Sequence, residues 1–500
     1  MEMLNYISSG FSVALQPINL LYCFIGVFIG TMVGVLPGIG PVGAMALLLP
    51  VTFYAPATST IILLAGIYYG SMYGGSTTSI LVNVPGEATS VVTCLEGYQM
   101  MLKGRAGPAL GIAAFGSFIA GTLSLIGLML FAPPLADAAI RFGPPEYFSL
   151  MIVGMTILFF LASGSVLKAI GMGALGVILA TIGQDPVMGT PRFTFRTQHL
   201  LDGVGLVPLV MGLYGVSEVF LNIERTVFAK VSETKVKGLF PDFNDWRNSI
   251  LPILRGTLIG FVLGILPGAG GIVSTFICYT IEKKLSKHPE QFGKGVIEGV
   301  AAPESANNAA SGGAFIPLLT LGIPCNVVMA MLLGALMIHG VRPGPLLMSE
   351  HPDLVWGLIA SMYVGNGMLL LLNLPLIGLW VQILKILPRF LFPFIILFCI
   401  VGVYSINLSA FDIGLMVFFG IVGYLVRKFR YEAAPLVLAF ILTPILESNF
   451  RQTLIQSKGS LFVFVTRPIS AVCLGISALI LFSAFLPIFR IRVRSLMNKT

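Results

Sequence analysis

Two stretches of the chain share one glycine pattern and one helix-breaking end, and this duplication constrains the fold more than any other feature. The first stretch covers residues 26–40 and reads GVFIGTMVGVLPGIG, and the second covers residues 256–270 and reads GTLIGFVLGILPGAG. In both, glycine recurs at every fourth position up to a Leu-Pro-Gly-x-Gly ending. A lone GxxxG is a weak signal, because small residues often only let apolar helices pack closely. The whole pattern, repeated at constant spacing, indicates an internal repeat.

Each stretch predicts a helix that stops and then starts again. The glycine rows form a helix face that another backbone can approach. Proline lacks an N–H group and glycine accepts any φ, so the Pro-Gly pair ends the helix. Apolar sequence resumes after each break, at 44–49 and at 272–281, which predicts a second helix. Inside a bilayer, broken backbone is tolerated only where it is buried in protein or lines a cavity. The paired breaks therefore indicate a solute or ion site, with packing kinks that hold no ligand as the alternative.

The composition defines the class of protein around these breaks. The 500 residues are 56% hydrophobic and only 10% charged. This balance predicts an all-α polytopic membrane protein with about 11–13 transmembrane or re-entrant helices of roughly 20 apolar residues each. The net charge of +8 is interpreted as basic cytoplasmic loops rather than as a nucleic-acid surface.

Several function classes are disfavoured by what the sequence lacks. The six cysteines contain no CxxC, so they are expected to be buried free thiols rather than a disulfide or metal framework. The four histidines are scattered, and no Walker A motif or nucleophile–base pair is visible. We therefore expect no enzyme activity, no metal site and no cofactor.

The order of motifs predicts two repeats and a connecting loop. The boundaries are 1–222 for the first transmembrane repeat, 223–249 for a polar loop, and 250–500 for the second repeat with C-terminal scaffold helices. Three further correspondences support the division: Gly74-Gly75 with Gly312-Gly313, Pro85 with Pro324, and Arg105–Pro108 with Arg342–Pro345.

The flanks of the two breaks differ in charge. Basic residues surround the second break, whereas the flanks of the first, 1–16 and 52–60, have no lysine or arginine. The positive-inside rule then predicts two inverted repeats, each with a hairpin whose tip reaches toward the middle of the membrane.

Polar residues near the breaks are the candidate ligands. Four consecutive hydroxyl side chains could donate to a carboxylate and lend oxygens to Na⁺, although such groups often only bond back to their own helix. The asparagines and serine of the second repeat suit an anion bound with a cation, although they could instead only join helices. The predicted substrate and ion site comprises Gly38, Gly40, Ser76, Thr77, Thr78, Ser79, Gly268, Gly270, Asn307, Asn308 and Ser311.

Two carboxylates lie next to these motifs. An ionisable group at membrane depth is a functional hypothesis by default, so Glu304 is a candidate for binding a proton or a cation. Glu87 is a weaker candidate, and either residue could instead lie in an interfacial loop. Asn83 and Asn326, which flank the two matching prolines, are also weaker candidates.

Taken together, these motifs resemble the large membrane subunit of the tripartite tricarboxylate transporter family. The resemblance rests on Gly30-x-x-x-Gly34-x-Leu36-Pro37-Gly38-x-Gly40, on Leu266-Pro267-Gly268-x-Gly270 and on Ala302–Ala309, which reads APESANNA. It covers essentially the whole chain. It implies secondary uptake of a tri- or dicarboxylate such as citrate across the bacterial inner membrane, driven by a Na⁺ or H⁺ gradient. It also implies two partners, a periplasmic solute-binding protein and a small membrane subunit.

Two other function classes stay open. A stand-alone channel or carrier for small anions would need no binding protein. A membrane-embedded enzyme acting on a lipid or peptide would need a catalytic constellation that the sequence does not show.

Overall fold

The fold was taken from a computed structural model, which describes residues 2–36, 40–161, 165–185, 188–224, 238–266, 270–386 and 388–497. Within these ranges the chain is helical, and strands are confined to a two-residue pair, Gly183–Gln184 with Pro191–Arg192. Five of the described helices are long and apolar enough to cross a membrane: Pro17–Val35, Ala106–Ala139, Phe243–Ile265, Pro352–Asn373 and Ala410–Lys428. The predicted all-α polytopic class is confirmed.

The helices of the first half follow one another with short connections. Their bounds are α1 Glu2–Ala14, α2 Pro17–Val35, α3 Gly40–Thr52, α4 Ala57–Val82, α5 Val91–Leu102, α6 Ala106–Ala139, α7 Pro144–Leu161, α8 Val166–Ala180, α9 Leu206–Val210 and α10 Ser217–Glu224. A 3₁₀ turn, Ala88–Ser90, precedes α5, and a π-helical segment, Met211–Val216, joins α9 to α10.

The second half begins with the other glycine helix. Its helices are α11 Phe243–Ile265, α12 Gly270–Leu285, α13 Glu298–Gly313, α14 Phe315–Leu321, α15 Val327–Ile338, α16 Leu347–Glu350, α17 Pro352–Asn373, α18 Ile377–Ile386, α19 Pro388–Asn407, α20 Ala410–Lys428, α21 Ala434–Gln456, α22 Val463–Thr466 and α23 Pro468–Met497.

The glycine helix α2 lies with its backbone directly on α4. A Cβ atom added at Gly26 would be 2.4 Å from the carbonyl oxygen of Leu63, and one at Gly30 would be 2.6 Å from that of Ile67. Since real side-chain carbons do not approach this closely, the helices can only meet where Cβ is absent. The predicted close approach along the first glycine row is confirmed.

The second glycine helix repeats this contact on α13. A Cβ atom at Gly256 would be 2.4 Å from the carbonyl oxygen of Ala302, and one at Gly260 would be 2.2 Å from that of Ala306. In both helix pairs, one glycine in each turn of the glycine helix therefore packs on one backbone carbonyl in each turn of the partner helix.

These contacts define the register between the repeats. A Cβ at Gly74 would meet the carbonyl oxygen of Thr31 at 2.2 Å, and one at Gly313 would meet that of Phe261 at 2.5 Å. Thr31 and Phe261 hold the same place in the two glycine helices. Gly74 therefore corresponds to Gly313, and the predicted pairing of the two Gly-Gly motifs is wrong by one residue. The predicted match of Pro85 with Pro324 fits the corrected spacing.

Both predicted helix breaks are present. The helix α2 ends at Val35 and α3 begins at Gly40, while α11 ends at Ile265 and α12 begins at Gly270. The backbone φ is +64° at Gly40 and +40° at Gly270, a region that favours glycine. Helices of 13 and 16 residues span about 20 and 24 Å at 1.5 Å per residue, which is less than a bilayer core of about 30 Å.

Contacts divide the chain into two compact units. One contains residues 1–137 and 207–424, and the other contains residues 138–206 and 425–500. In the second unit, α8 lies on α21, where a Cβ at Gly176 would be 2.2 Å from the carbonyl oxygen of Leu436. These contact boundaries follow packing, whereas the predicted boundaries 1–222, 223–249 and 250–500 follow the repeats and stay a prediction.

Some helix bounds differ from the sequence prediction for local reasons. The helix α11 begins seven residues before the predicted Ile250, because Asp242 and Asp245 form a capping box that stabilises its polar first turns. The polar segment 74–79 lies inside the single helix α4, since neighbouring helices bury it on every side. The six thiols are free as predicted, four of them buried and two half-buried.

Candidate functional site

Glu304 on α13 joins three helices of the first unit. Its carboxyl group accepts a 2.5 Å hydrogen bond from the Ser76 hydroxyl on α4 and a very short one from the Thr93 hydroxyl on α5. The residue is 1% exposed. Burying a carboxylate without a cation is costly, so hydroxyl donors alone stabilise a full charge poorly. This environment suits a carboxyl group that holds a proton or lies beside a cation.

Two further hydrogen bonds connect the repeats. Asn307 on α13 donates from Nδ2 to Glu87 Oε1 at 3.3 Å, and Asn326 donates from Nδ2 to the Tyr68 hydroxyl at 3.2 Å. Under the register set by the glycine contacts, Glu87 corresponds to Asn326 and Tyr68 corresponds to Asn307. In each repeat, the N-cap residue is thus hydrogen-bonded to the helix that packs on the glycine helix of the other repeat. The two contacts lie at corresponding positions of α13 and α4.

The two N-cap residues have the same backbone geometry. Glu87 caps the 3₁₀ turn with φ −146° and ψ 167°, and Asn326 caps α15 with φ −151° and ψ 175°. Each follows a helix that ends in a left-handed residue, Asn83 at φ 55° and Gly322 at φ 68°. The corresponding turns place both polar side chains between the repeats.

The four consecutive hydroxyls of α4 do not act as one cluster, because successive helical residues point about 100° apart. Ser76 reaches Glu304, and Thr77 lines a small cavity. Thr78 donates to the Gly75 carbonyl at 3.1 Å, and Ser79 donates to the same carbonyl at 2.9 Å. The Thr78 bond is thus local, whereas Ser79 also donates to the Ser90 carbonyl at 3.1 Å and the Ser90 hydroxyl at 2.9 Å. Ser76 and Thr77 face the interior of the unit.

The polar residues of α13 also take different partners. Asn308 donates from Nδ2 to the Ser117 hydroxyl on α6 at 2.7 Å and to its own helix at the Glu304 carbonyl. Ser311 donates to the Asn307 carbonyl at 3.1 Å. Asn307 is 1% exposed, and its Oδ1 has no hydrogen-bond partner among the described residues. Asn307 is therefore the member of this set with an acceptor left over.

The second break lies next to Asn307. A Cβ atom added at Gly271, in the first turn of α12, would be 3.1 Å from Asn307 Oδ1 and 2.6 Å from the Thr89 side chain. Gly40 and Gly270 begin their helices with no atom within 4 Å of such a Cβ, so their neighbourhood is open. Gly38 and Gly268 lie outside the described residues.

Three participating residues escaped the sequence reasoning. Thr93 lies in α5, outside every motif of the sequence analysis, and it is 1% exposed. Tyr68 and Ser117 lie in apolar stretches with no motif around them. The register of the repeat was the one signal that could have indicated Tyr68, because it pairs this residue with Asn307.

Glu96 is another buried carboxylate, but its contacts are structural. It accepts hydrogen bonds from the Tyr279 hydroxyl at 2.7 Å and from the backbone N–H groups of Gly295 and Val296 at 2.7 and 2.9 Å. These donors fasten the loop between α12 and α13 to α5. Its oxygens are therefore satisfied by these protein donors.

The described residues contain no group of three or more His, Cys, Asp or Glu that could hold a metal ion. Over the same ranges, neither Glu87 nor Glu304 forms a salt bridge. The site is therefore built from neutral oxygens, amides and two carboxyl groups.

Comparison with known proteins identifies the family. The model of the tripartite tricarboxylate transporter TctA family matches residues 20–438. A protein of Agrobacterium vitis, described as "Uncharacterized 52.8 kDa protein in TAR-I ttuC' 3'region", is 50% identical over 491 residues, which is 98% of each chain. Another from the same organism, "Uncharacterized protein in TAR-II ttuC' 3'region", is 51% identical over 231 residues, or 46% of this chain and 96% of that one. No solved structure matches.

The matched region contains both glycine stretches, 26–40 and 256–270, and every polar contact described around Glu304 and Asn307. Family and helices agree on a multi-pass membrane protein. The chain belongs to the tripartite tricarboxylate transporter TctA family.

Proposed function

We propose that the chain is the carrier of a three-component system that takes up a tri- or dicarboxylate such as citrate across the bacterial inner membrane. The observation that carries the proposal is the pair of reciprocal hydrogen bonds between the repeats, Asn307 with Glu87 and Asn326 with Tyr68, of which Asn307 lies beside the second break. An exchange of this kind is expected where two inverted repeats share one site, and such sites lie at the repeat interface of secondary transporters.

The anion would bind at the beginnings of α3 and α12. Free backbone N–H groups and the positive end of the helix dipole favour a carboxylate there. Gly40 and Gly270 leave room for its approach, and Asn307 lies at the first turn of α12. The predicted ligands Gly38 and Gly268 fall in the same breaks and stay part of the proposal.

Energy would come from a Na⁺ or H⁺ gradient. Glu304 supports this because it is buried, carries two hydroxyl donors and has no salt bridge among the described residues. A carboxyl group in this setting gains or loses a proton, or a neighbouring cation, at a large electrostatic cost. Its occupancy can therefore bias the site between outward-facing and inward-facing states.

Two partners complete the proposed system. A periplasmic solute-binding protein would capture dilute carboxylate and dock on the outer loops, for which residues 52–60 are candidates under the proposed orientation. A small membrane subunit would assemble with the carrier. The basis for both partners is family membership.

Reconstitution tests the proposal. The chain and its small subunit are incorporated into liposomes, and uptake of radiolabelled citrate is measured under an imposed Na⁺ or H⁺ gradient, with and without the binding protein. We expect uptake to follow the concentration of liganded binding protein. Equal uptake without that protein would favour a stand-alone carrier.

Counterflow distinguishes the carrier from a channel. Liposomes loaded with unlabelled citrate, with equal ion concentrations on both sides and the membrane potential held at zero, should transiently accumulate labelled citrate, which a channel does not do under these conditions. A panel of other tri- and dicarboxylates as the internal substrate would identify the preferred one. Lack of counterflow with every carboxylate tested would argue against carrier activity toward this class.

A further inference from the structure

A small polar cavity lies among α4, α6 and α17 in the first unit. Its volume is about 10 Å³, which is enough for one water-sized occupant. Five oxygen-bearing side chains line it: Tyr73, Ser76 and Thr77 from α4, Ser117 from α6, and Asn373 from α17. A leucine and two alanines complete the wall, and no charged side chain faces the space directly.

Three of these side chains donate hydrogen bonds to atoms outside the cavity. The Tyr73 hydroxyl donates to Asn366 Oδ1 at 2.6 Å. The Ser76 hydroxyl has two acceptors outside the cavity, Glu304 Oε2 at 2.5 Å and the Met72 carbonyl at 3.2 Å. The Asn373 amide donates from Nδ2 to the Leu369 carbonyl at 2.9 Å. The Tyr73 and Ser76 hydroxyls therefore offer lone pairs to the cavity, and Asn373 offers Oδ1 and the second N–H of Nδ2.

Asn373 provides an independent indication of a ligand. The residue is 5% exposed, and its Oδ1 has no hydrogen-bond partner among the described residues. Because Nδ2 is fixed on Leu369, the amide orientation is determined and Oδ1 is the atom left over. Buried polar atoms are normally paired, so an unpaired acceptor on a polar cavity calls for a donor or a cation.

We propose that this cavity is a Na⁺ site. Its role as the site of the coupling ion rests on the proposed function. Among the described atoms of Tyr73, Ser76 and Asn373, Asn373 Oδ1 lacks a partner, and a cation bound to it can also take lone pairs of the Tyr73 and Ser76 hydroxyls. The hydroxyls of Thr77 and Ser117 complete an all-oxygen set, as hard cations require.

The charge environment selects a monovalent ion. Divalent cations are held by carboxylates in direct contact, and none lines the cavity. Glu304 lies one hydroxyl away, through Ser76, and supplies a single compensating negative charge. Three other ionisable side chains interact electrostatically with Glu304: Tyr73, Glu87 and Cys94. None of them is cationic, so a Na⁺ in the cavity meets no repulsion from them.

A binding experiment without substrate or partners tests the site. The purified full chain in detergent is titrated with ²²Na⁺ in a scintillation proximity assay, with and without citrate. We expect saturable binding that unlabelled Na⁺ displaces, while K⁺ and choline do not displace it at the same concentration. Lack of saturable ²²Na⁺ binding in both conditions would overturn the proposal.

Matched variants locate the bound ion. Asn373→Leu removes Oδ1 and should weaken Na⁺ binding at least tenfold, whereas Asn373→Asp keeps an oxygen there and should retain binding. Thr77→Val preserves shape and should also weaken binding, which covers the case in which Asn373→Leu fails to fold. Thr320→Val is the control, because its buried hydroxyl bonds only to the Ile316 carbonyl of its own helix. Unchanged affinity in both Asn373→Leu and Thr77→Val would place the ion elsewhere and overturn the proposal.

The Na⁺-binding test and the test of the proposed function can fail independently of each other. Saturable Na⁺ binding without carboxylate uptake in liposomes would support the ion site and reject the carrier role. Carboxylate uptake driven by a proton gradient, without Na⁺ binding, would support the carrier and reject this site.

Discussion

Ser76 donates a 2.5 Å hydrogen bond to the carboxyl group of Glu304, a residue 228 positions later in the chain. The contact joins α4, the packing partner of the first glycine helix, to α13, the packing partner of the second. It brings a polar residue from each repeat to one buried point. A change of charge at Glu304 therefore changes the electrostatic energy of both repeats.

Replacement of Glu304 by Gln should uncouple transport from the gradient. The amide keeps the size of the side chain and can still accept from Ser76 or Thr93, but it cannot gain or lose a proton or compensate a cation. We expect gradient-driven citrate uptake to fall at least tenfold while counterflow persists. Glu350→Gln, at an exposed carboxylate, is the control. Full gradient-driven uptake by Glu304→Gln would remove Glu304 from the coupling mechanism.

Replacement of Gly260 by Ala should destabilise the protein, because the new Cβ would lie 2.2 Å from the Ala306 carbonyl oxygen. Overpacking of this kind costs about 1–3 kcal/mol. Gly367→Ala is the matched control, since nothing lies within 4 Å of its Cβ position. Thermal unfolding in detergent should show a lower midpoint for Gly260→Ala alone. Equal midpoints for the two variants would mean that α11 can shift away from α13 at no cost.

Substitutions at the two breaks should act through backbone conformation. Gly40 and Gly270 have positive φ with open space around them, so Val adds strain rather than a clash. A left-handed conformation costs roughly 1–2 kcal/mol for L-residues, and more for a β-branched one. We expect Gly270→Val to abolish uptake and Gly270→Asn to retain part of it, because Asn tolerates this region. Equal activity of both variants would show that the positive φ is not required.

The prediction for Gly38 and Gly268, which lie outside the described residues, rests on the repeated Leu-Pro-Gly-x-Gly motif. Gly38→Val and Gly268→Val are expected to abolish citrate uptake. Their folded yield, measured by size-exclusion chromatography, should remain close to that of the unmodified chain. Active transport by both variants would exclude any need for glycine at these positions.

Replacement of Asn307 by Ala should weaken substrate binding. Its Oδ1 is unpaired beside the first turn of α12, and its Nδ2 orients Glu87. We expect the half-saturating concentration of liganded binding protein or free citrate to rise about tenfold, while the folded yield changes little. Asn449→Ala is the control, because its amide donates to the Ile445 carbonyl of its own helix. An unchanged half-saturating concentration would mean that Asn307 is not a ligand.

Topology is testable by cysteine labelling. Single cysteines at positions 55 and 287 should react with membrane-impermeant reagents from opposite sides of the membrane, position 55 from the periplasm and 287 from the cytoplasm. The background is favourable, since four of the six native thiols are buried. Labelling of both positions from the same side would reject the inverted orientation of the two repeats.

The packing of the glycine helices followed from local pattern alone. A glycine at every fourth residue lies on one helix face, so the close approach of α2 to α4 and of α11 to α13 could be inferred before either partner was known. The helix breaks were equally accessible, because proline and glycine act on their own backbone. The membrane class needed only composition.

The identity of the ligating atoms was not accessible in the same way. Ser76 to Ser79 look equivalent as a sequence, but the angle between successive helical residues sends Ser76 toward Glu304 and Ser79 toward Ser90. The roles of Thr93 and Tyr68 depend on residues more than 200 positions away. No local signal marks such pairs.

The sequence by itself therefore determined the class, the duplicated glycine helices and the positions of the breaks, since each of these depends on neighbouring residues and on the solvent. The tertiary structure decided which polar atoms meet, which of them satisfy each other and which remain unpaired, as at Asn307 and Asn373. The physical reason is that hydrogen-bond partners are set by the distance and orientation of atoms on different helices. Those distances are fixed only when the packed glycine faces bring the two repeats into register.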